Sequence, residues 1–260
     1  PLATVRDFYR DLPRYRGEAQ RVVGAAARGG QGLALDALTP AVPVPETAKV
    51  ICVAVNYKMH ADETGSDLPD RPNLFARWWA TLVASGTPVP VPVDEPGLDW
   101  EVELAVVMGA PLSAPTPAAQ APGAVLGYTV FNDVSARTHQ RATTQWANGK
   151  NADQSGPIGS HVVTPDELDV ADLRLRTTVN DAVMQDGSTA EMAIKIPDLI
   201  AYATRTISLR PGDVIATGTP AGVGFRRDPP VLMHPGDTCT VEIEGIGAVR
   251  TPIVDASQRH

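Results

Sequence analysis

Three features of the sequence predict an α+β, strand-rich fold. Proline (24) and glycine (22) are abundant, so the chain turns often and its helices are few. Short runs that are apolar throughout, or that alternate apolar and polar residues, recur along the chain and read as strands. Helical periodicity is confined to the N-terminal residues and two short later stretches.

The length of 260 residues supplies one sizeable core plus an appendage, or two small domains. Net charge is −8, with acids and bases interspersed and no basic run, which argues against nucleic-acid or anionic-membrane partners. No apolar run approaches the ~18 residues of a spanning helix. The N-terminus lacks a signal-peptide layout, and a chain beginning at Pro1 is compatible with trimming. Cys52 and Cys239 fall in strand-like apolar runs with no zinc-type spacing, so buried thiols in a reduced, cytoplasmic protein are expected. Repeats and low-complexity tracts are absent.

Residues 4–28 read as helix from the stripe Val5, Phe8, Tyr9, Leu12, Val22 and Val23, interrupted at Pro13 and ended by Gly29-Gly30. The proline-rich stretch 38–45 reads as an extended connector, which divides residues 1–47, a helical and extended segment, from residues 48–260, the main body. Val50 to Val55 is a buried strand. It opens into a polar stretch where His60 and Glu63 stand at i, i+3; on one helical turn the carboxylate would orient the imidazole as a general base. A solvated turn is the more ordinary account of the same two residues. Residues 57–72, polar and rich in Pro, Asp and Gly, are expected to be mobile without ligand. Leu74 to Trp79 is an apolar patch containing Arg77, Trp78 and Trp79. It could line a pocket for an anionic, partly apolar substrate, or form a local core cluster.

The chain is organised around Trp100 to Val107. Alternation sends Trp100, Val102, Leu104 and Val106 to one face and Glu101, Glu103, Ala105 and Val107 to the other. The second face turns apolar at Ala105, so the two carboxylates stand at the rim of a buried surface. Adjacent carboxylates resist ionisation unless a cation lies between them, and the pair reads as ligands of a hard, oxygen-preferring metal. Thr238 to Glu244 is the contrast: it alternates too, but Glu242 and Glu244 share a wholly polar face and should be solvated.

Val125 to Phe131 reads as strand, and 134–146 as the helix that follows it. Asp133 stands where an N-cap belongs, but it could also aim a carboxylate from the strand end into a cleft. Lys150, in the polar loop 148–153, would ordinarily be solvated. Further strands are expected at 158–163, 173–180, 213–217, 238–244 and 248–254, and a helix at 197–207. The loop 217–224 is glycine-rich but lacks the Lys-Ser/Thr of a phosphate-binding loop, so its glycines serve close backbone approach.

Five groups of residues, in order across roughly 50–250, resemble the fumarylacetoacetate hydrolase family. They are Asn56-Tyr57 with His60 and Glu63; Asp99 to Leu104; Gly127-Tyr128 through Asn132 to Arg137 with Gln140; Gly149-Lys150 with Asp153; and Pro211-Gly212-Asp213 leading into 217–224. The resemblance implies a mixed β-sandwich roll of that family's C-terminal-domain type, a small N-terminal segment and a homodimer. It implies one Mg²⁺ or Mn²⁺, with Ca²⁺ possible as a substitute, held by Glu101, Glu103 and Asp133. It places Lys150 beside the metal, puts His60 and Glu63 on a lid, and makes Gln140 and Thr219 lining residues; Tyr57, and Arg77 on the reading of its own patch, are also assigned to the substrate. This chain departs from the common family pattern at Arg77-Trp78, His139 and Asp181.

The chemistry implied is divalent-metal-dependent C–C hydrolysis of an acylpyruvate-like 2-oxo acid or 1,3-dicarbonyl through an enolate, with His60 activating water. Decarboxylation of an oxaloacetate-type acid and isomerisation of a hydroxydienedioate use the same site and are the alternatives. A non-catalytic binding protein would be expected to have lost ligands that this chain keeps.

Overall fold

The structure, a computed structural model, describes residues 4–30, 32, 34, 37–65 and 67–258. The N-terminal periodicity resolves into two helices, α1 (Val5–Arg10) and α2 (Leu12–Gly29). Asp11 leaves helical geometry at φ −134°. Pro13 then sits in the first turn of α2, where its missing N–H leaves no helical acceptor unpaired. Gly30 ends α2 in the left-handed region at φ 62°. Tyr9 and Leu12 are buried, but Val22 and Val23 are 61% and 66% exposed, so only the N-terminal part of the predicted stripe packs.

The rest of the chain forms β1 (Val50–Ala54), α3 (Lys58–Thr64), β2 (Asn73–Arg77), β3 (Leu82–Ala84), β4 (Val89–Pro90), β5 (Val102–Met108) and β6 (Val125–Asn132). These are followed by α4 (Arg137–Arg141), α5 (Ala147–Lys150), β7 (Gly156–Ile158), β8 (Arg174–Val179), β9 (Ala182–Ser188), α6 (Ile196–Ala203), β10 (Val214–Ala216), β11 (Thr238–Ile243) and β12 (Gly247–Val254). Seven strands make one sheet in the order β2-β1-β10-β5-β6-β7-β3, and five make the other in the order β4-β12-β11-β8-β9. Both sheets are mixed: β1–β10, β3–β7 and β4–β12 are parallel pairs, the remainder antiparallel. This is the mixed, strand-rich architecture expected.

β5 divides two cores along the alternation read from the sequence. Trp100, Val102, Leu104, Val106 and Met108 join Leu175, Cys239, Val241, Ile243 and Val249 in the larger core, which draws on both sheets. Ala105 and Val107 join Val50, Cys52, Phe131, Tyr9 and Leu12 in a second core on the opposite face, closed by the N-terminal helices. Full burial of each Val or Leu side chain is worth about 1.5–3 kcal/mol, so β5 is fastened from both sides.

Some elements differ from expectation. The helix expected over 134–146 is replaced by the short α4 and α5. The chain stays extended through Ser135, which exchanges backbone hydrogen bonds with Asp99, and Thr143 folds back on Gln145 between the two helices. β9 was not expected. It forms a hairpin with β8 through Asn180 and Asp181, both left-handed at φ 47° and 68°. Two such residues give the turn that matches strand twist, and Asn180 is fixed by bonds to Asp237 and Thr238.

Candidate active site

Strand register assembles the acidic cluster. In the β5–β6 pair Val102 lies opposite Asn132 and Glu103 opposite Phe131. One step further places Glu101 opposite Asp133, whose amide donates to the Glu101 carbonyl at 2.9 Å. Cross-strand neighbours share a face, as do residues two apart on a strand. Glu101, Glu103 and Asp133 therefore converge: one oxygen of each lies within 4.8 Å of the others, and all three are buried. Asp133 is not an N-cap, because the helix waits until Arg137.

Three buried cations surround this cluster. Lys150, 1% exposed, ends α5 and puts Nζ 2.8 Å from Glu101 Oε2 and 2.6 Å from Asp133 Oδ2. Arg137 places Nη2 2.7 Å from Glu101 Oε1 and donates from Nε to Asp99 Oδ2 at 2.8 Å. Arg77 donates from Nε to Asp133 Oδ1 at 2.8 Å. Burial pushes the Glu101 carboxyl up, but Lys150 and Arg137 outweigh it and hold it at about 2. Burial likewise lowers Lys150, and Asp133 and Glu101 more than restore it, so its ammonium persists.

Glu103 differs. It accepts the Gly218 amide at 2.9 Å and has no ion pair among the described residues. Burial, and then the Asp133 and Glu101 carboxylates, push it well above the usual range. A divalent cation fits here. The donors are hard oxygens, and the carboxylate without an ion pair among the described residues, on which Lys150 only partly offsets burial and its acidic neighbours, is the one a bound ion would pair. Gly218 is required for this contact: its φ is +93°, and a Cβ would stand 3.0 Å from the Val53 carbonyl.

Opposite the cluster, α3 carries the imidazole. His60 is 7% exposed, with Nδ1 3.3 Å from Glu63 Oε2. The other Glu63 oxygen accepts the Gly222 amide at 3.0 Å, which ties the dyad to the glycine-rich loop. Arg226 reaches the Thr64 carbonyl at 2.6 Å. A cavity of about 180 Å³ is lined by His60, Glu101, Glu103, Gln140, Lys150 and Thr219, together with Arg137, Arg141, Trp146, Phe225 and Arg226. Gln140 accepts from Arg137 at 2.8 Å, and Thr219 from Gln185 at 2.8 Å.

Two residues assigned to the substrate lie elsewhere. Arg77 is 2% exposed and absent from the cavity wall; its guanidinium is consumed by Asp133, Ser155 and the Val134 carbonyl. It orients Asp133, and its hydrogen bonds are made to protein groups away from the cavity wall. Tyr57 is fully buried in the larger core and likewise does not line the cavity. Trp78 is 56% exposed and Trp79 donates to the Val44 carbonyl, so neither builds the apolar subsite imagined beside Arg77.

Sequence reasoning missed several neighbours. Asp99 is fully buried and accepts from Trp100, Gly224, Phe225 and Arg137. Gln185 joins Val102, Thr177, Thr219 and Pro220. Val55 lines the cavity at φ 53°, a left-handed conformation costly for a β-branched residue. A buried Asp between Leu98 and Trp100 is a readable signal; the Val55 backbone has none.

Residues 49–254 match the profile described as Fumarylacetoacetate (FAA) hydrolase C-terminal. A mitochondrial oxaloacetate tautomerase of Homo sapiens is 38% identical over 244 residues, spanning 92% of this chain and 77% of its own length. The solved structure of a 2-hydroxyhepta-2,4-diene-1,7-dioate isomerase from Mycobacterium marinum is 36% identical, with TM-score 0.76, over 88% of this chain and 82% of that one. That of a fumarylacetoacetate hydrolase from psychrophilic Exiguobacterium antarcticum is 35% identical, with TM-score 0.77, over 86% and 83%. With its profile match, its relatives and its fold in agreement, the chain belongs to the fumarylacetoacetate hydrolase family of enzymes.

Proposed function

We propose that this chain is a divalent-metal-dependent enzyme that moves a proton at the carbon beside the 2-oxo group of a small 2-oxo acid or 1,3-dicarbonyl. The observation carrying this reading is the shared cavity: the imidazole of His60 and the carboxylates of Glu101 and Glu103 border the same small space, and Asp133 clusters with those two carboxylates behind the cavity wall. Those three carboxylates would hold Mg²⁺ or Mn²⁺, with Ca²⁺ as a weaker fit. When bound, the ion supplies Lewis-acid stabilisation of the oxyanion that develops on the 2-oxo group.

The chain's own residues do the rest. Glu63 engages Nδ1 of His60, which leaves Nε2 to take a proton from the substrate carbon and return it. Lys150 donates to both Glu101 and Asp133 and helps to keep Glu101 ionised. Gln140 and Thr219 border the ligand space and are assigned to orient it. Closure of α3 over the cavity excludes bulk water. Similarity to an oxaloacetate tautomerase and a dioate isomerase supports proton transfer.

Hydrolytic C–C cleavage of an acylpyruvate is the second reading. The Glu63-oriented imidazole favours it, because such a pair can activate water, and so does similarity to a fumarylacetoacetate hydrolase. Its other support, an apolar subsite at Trp78 and Trp79, is gone. Decarboxylation of oxaloacetate needs the same carboxylates without the base. Residues 48–260 are assigned as the catalytic unit and residues 1–47 as its appended segment, and the enzyme is assigned as a cytoplasmic homodimer. No helix among the described residues is long and apolar enough to cross a membrane.

A substrate screen with Mn²⁺ tests the reading. The parent should accelerate enol–keto interconversion of oxaloacetate, and His60→Ala should lower the rate at least ~100-fold, the scale of losing a general base. Acylpyruvate cleavage with the higher kcat/KM would put hydrolysis in its place, and release of CO₂ as the dominant event would put decarboxylation there.

A further inference from the structure

We propose that Arg141 and Arg226 form a second anion subsite at the solvent end of the cavity, one that selects 2-oxo acids carrying a distal carboxylate. This deepens the reading of the cavity as a 2-oxo acid site and rests on it.

The observation is an unusual concentration of guanidinium groups around one ring. Arg137 lies 4.2 Å from the Phe225 centroid, Arg226 4.9 Å and Arg141 5.8 Å. All four residues line the cavity. Arg137 is neutralised by Asp99 and Glu101, each within 2.8 Å. Arg141 and Arg226 have no ion pair with any acid among the described residues. Both are exposed, so they stand where the cavity meets solvent. In a chain of net charge −8, two unpaired guanidiniums against a single ring make this end locally basic.

Arg141 and Arg226 carry like charge against the same ring, and the attraction of each to the ring face is worth only about 0.5–1 kcal/mol at an exposed site. An anion between Arg141 and Arg226 removes the conflict, and the planar fork of each guanidinium suits a carboxylate. Contacts also give the direction of the ligand. Arg137 touches Glu101 on one side and stacks on Phe225 on the other. A substrate with its 2-oxo acid end at the acidic cluster would therefore extend past Arg137 and Phe225 towards Arg141 and Arg226. The loop supporting this end is held firmly. Asp99 accepts the amides of Gly224 at 2.7 Å and Phe225 at 3.2 Å, and a Cβ at Gly224 would stand 2.0 Å from the Val231 carbonyl.

The test uses two five-carbon acids that differ only in the far group: 2-oxoglutarate, with a second carboxylate, and 2-oxopentanoate, without one. Each is titrated calorimetrically into Mn²⁺-supplied protein. The parent should bind 2-oxoglutarate at least ~10-fold more tightly, the scale of one charge-assisted pairing. Arg226→Gln and Arg141→Gln should each bring that ratio towards one while leaving 2-oxopentanoate affinity unchanged. Equal affinities in the parent, or a ratio that survives both substitutions, overturn the subsite. A structural effect, such as loss of the Arg226 bond to Thr64, would weaken both acids alike, and that outcome also overturns it. A preference lost in the variants, in a protein that does not interconvert oxaloacetate tautomers, keeps the subsite and rejects the proposed reaction. Failure to bind either acid rejects both.

Discussion

Lys150 shows how residue-scale chemistry escapes a linear reading. In the sequence it is one lysine in a polar loop; in the structure it is 1% exposed, with its ammonium against two carboxylates. The reason is tertiary: α5 ends beside the β5–β6 pair, and nothing within ten residues of Lys150 announces those strands. Arg77 is the converse. Beside two tryptophans it looked available to an anionic ligand, yet it is spent on Asp133. Glu101 and Glu103 were legible as a pair because strand alternation alone puts them on one face; Asp133 was left between an N-cap and a cleft, and of the three cations, which come from three distant segments, only Lys150 was anticipated, through the family resemblance. Lys150→Met should lower kcat at least ~100-fold, the loss expected for one preorganised electrostatic stabiliser, with the circular dichroism of the folded protein retained. Near-parental turnover in the folded variant would mean that Lys150 only balances charge.

At the scale of elements, α3 and the glycine-rich loop act as one device. Glu63 bonds His60 with one oxygen and the Gly222 amide with the other, so the orientation of the imidazole and the seating of its helix depend on the same carboxylate. The i, i+3 spacing was readable, and so was the glycine loop; that one grips the other was not, because 159 residues separate Glu63 from Gly222. Glu63→Ala should lower kcat by about 10²-fold or more, the range for general acid–base catalysis, and leave Mn²⁺ affinity unchanged, since Glu63 is not in the acidic cluster. Parental kcat would detach the dyad from the chemistry. The β8–β9 hairpin was missed for a local reason: Asn-Asp supplies the two left-handed residues where Asn-Gly is the usual signal. The helix after Asp133 was misplaced because the chain keeps pairing as far as Ser135, and that extension is what frees Asp133 to face the cluster.

For the whole molecule, the informative stretch was β5 and its flanks. Its alternation separated the two cores correctly, and the polar second face of β11 correctly left Glu242 and Glu244 exposed. Order of the strands in the sheets was not readable, because β1, β5, β6 and β10 are all buried on both faces and look alike as apolar runs. That order nonetheless makes the site, since β10 must lie beside β5 for Gly218 to reach Glu103. The central claim is that a divalent cation completes the cluster through Glu103, and calorimetric titration of Mn²⁺ into the parent and Glu103→Ala tests it most directly. The parent should show one site per chain, and the variant should bind at least ~100-fold more weakly, about 2.7 kcal/mol. Binding of Mn²⁺ by Glu103→Ala as tightly as by the parent would contradict the assignment.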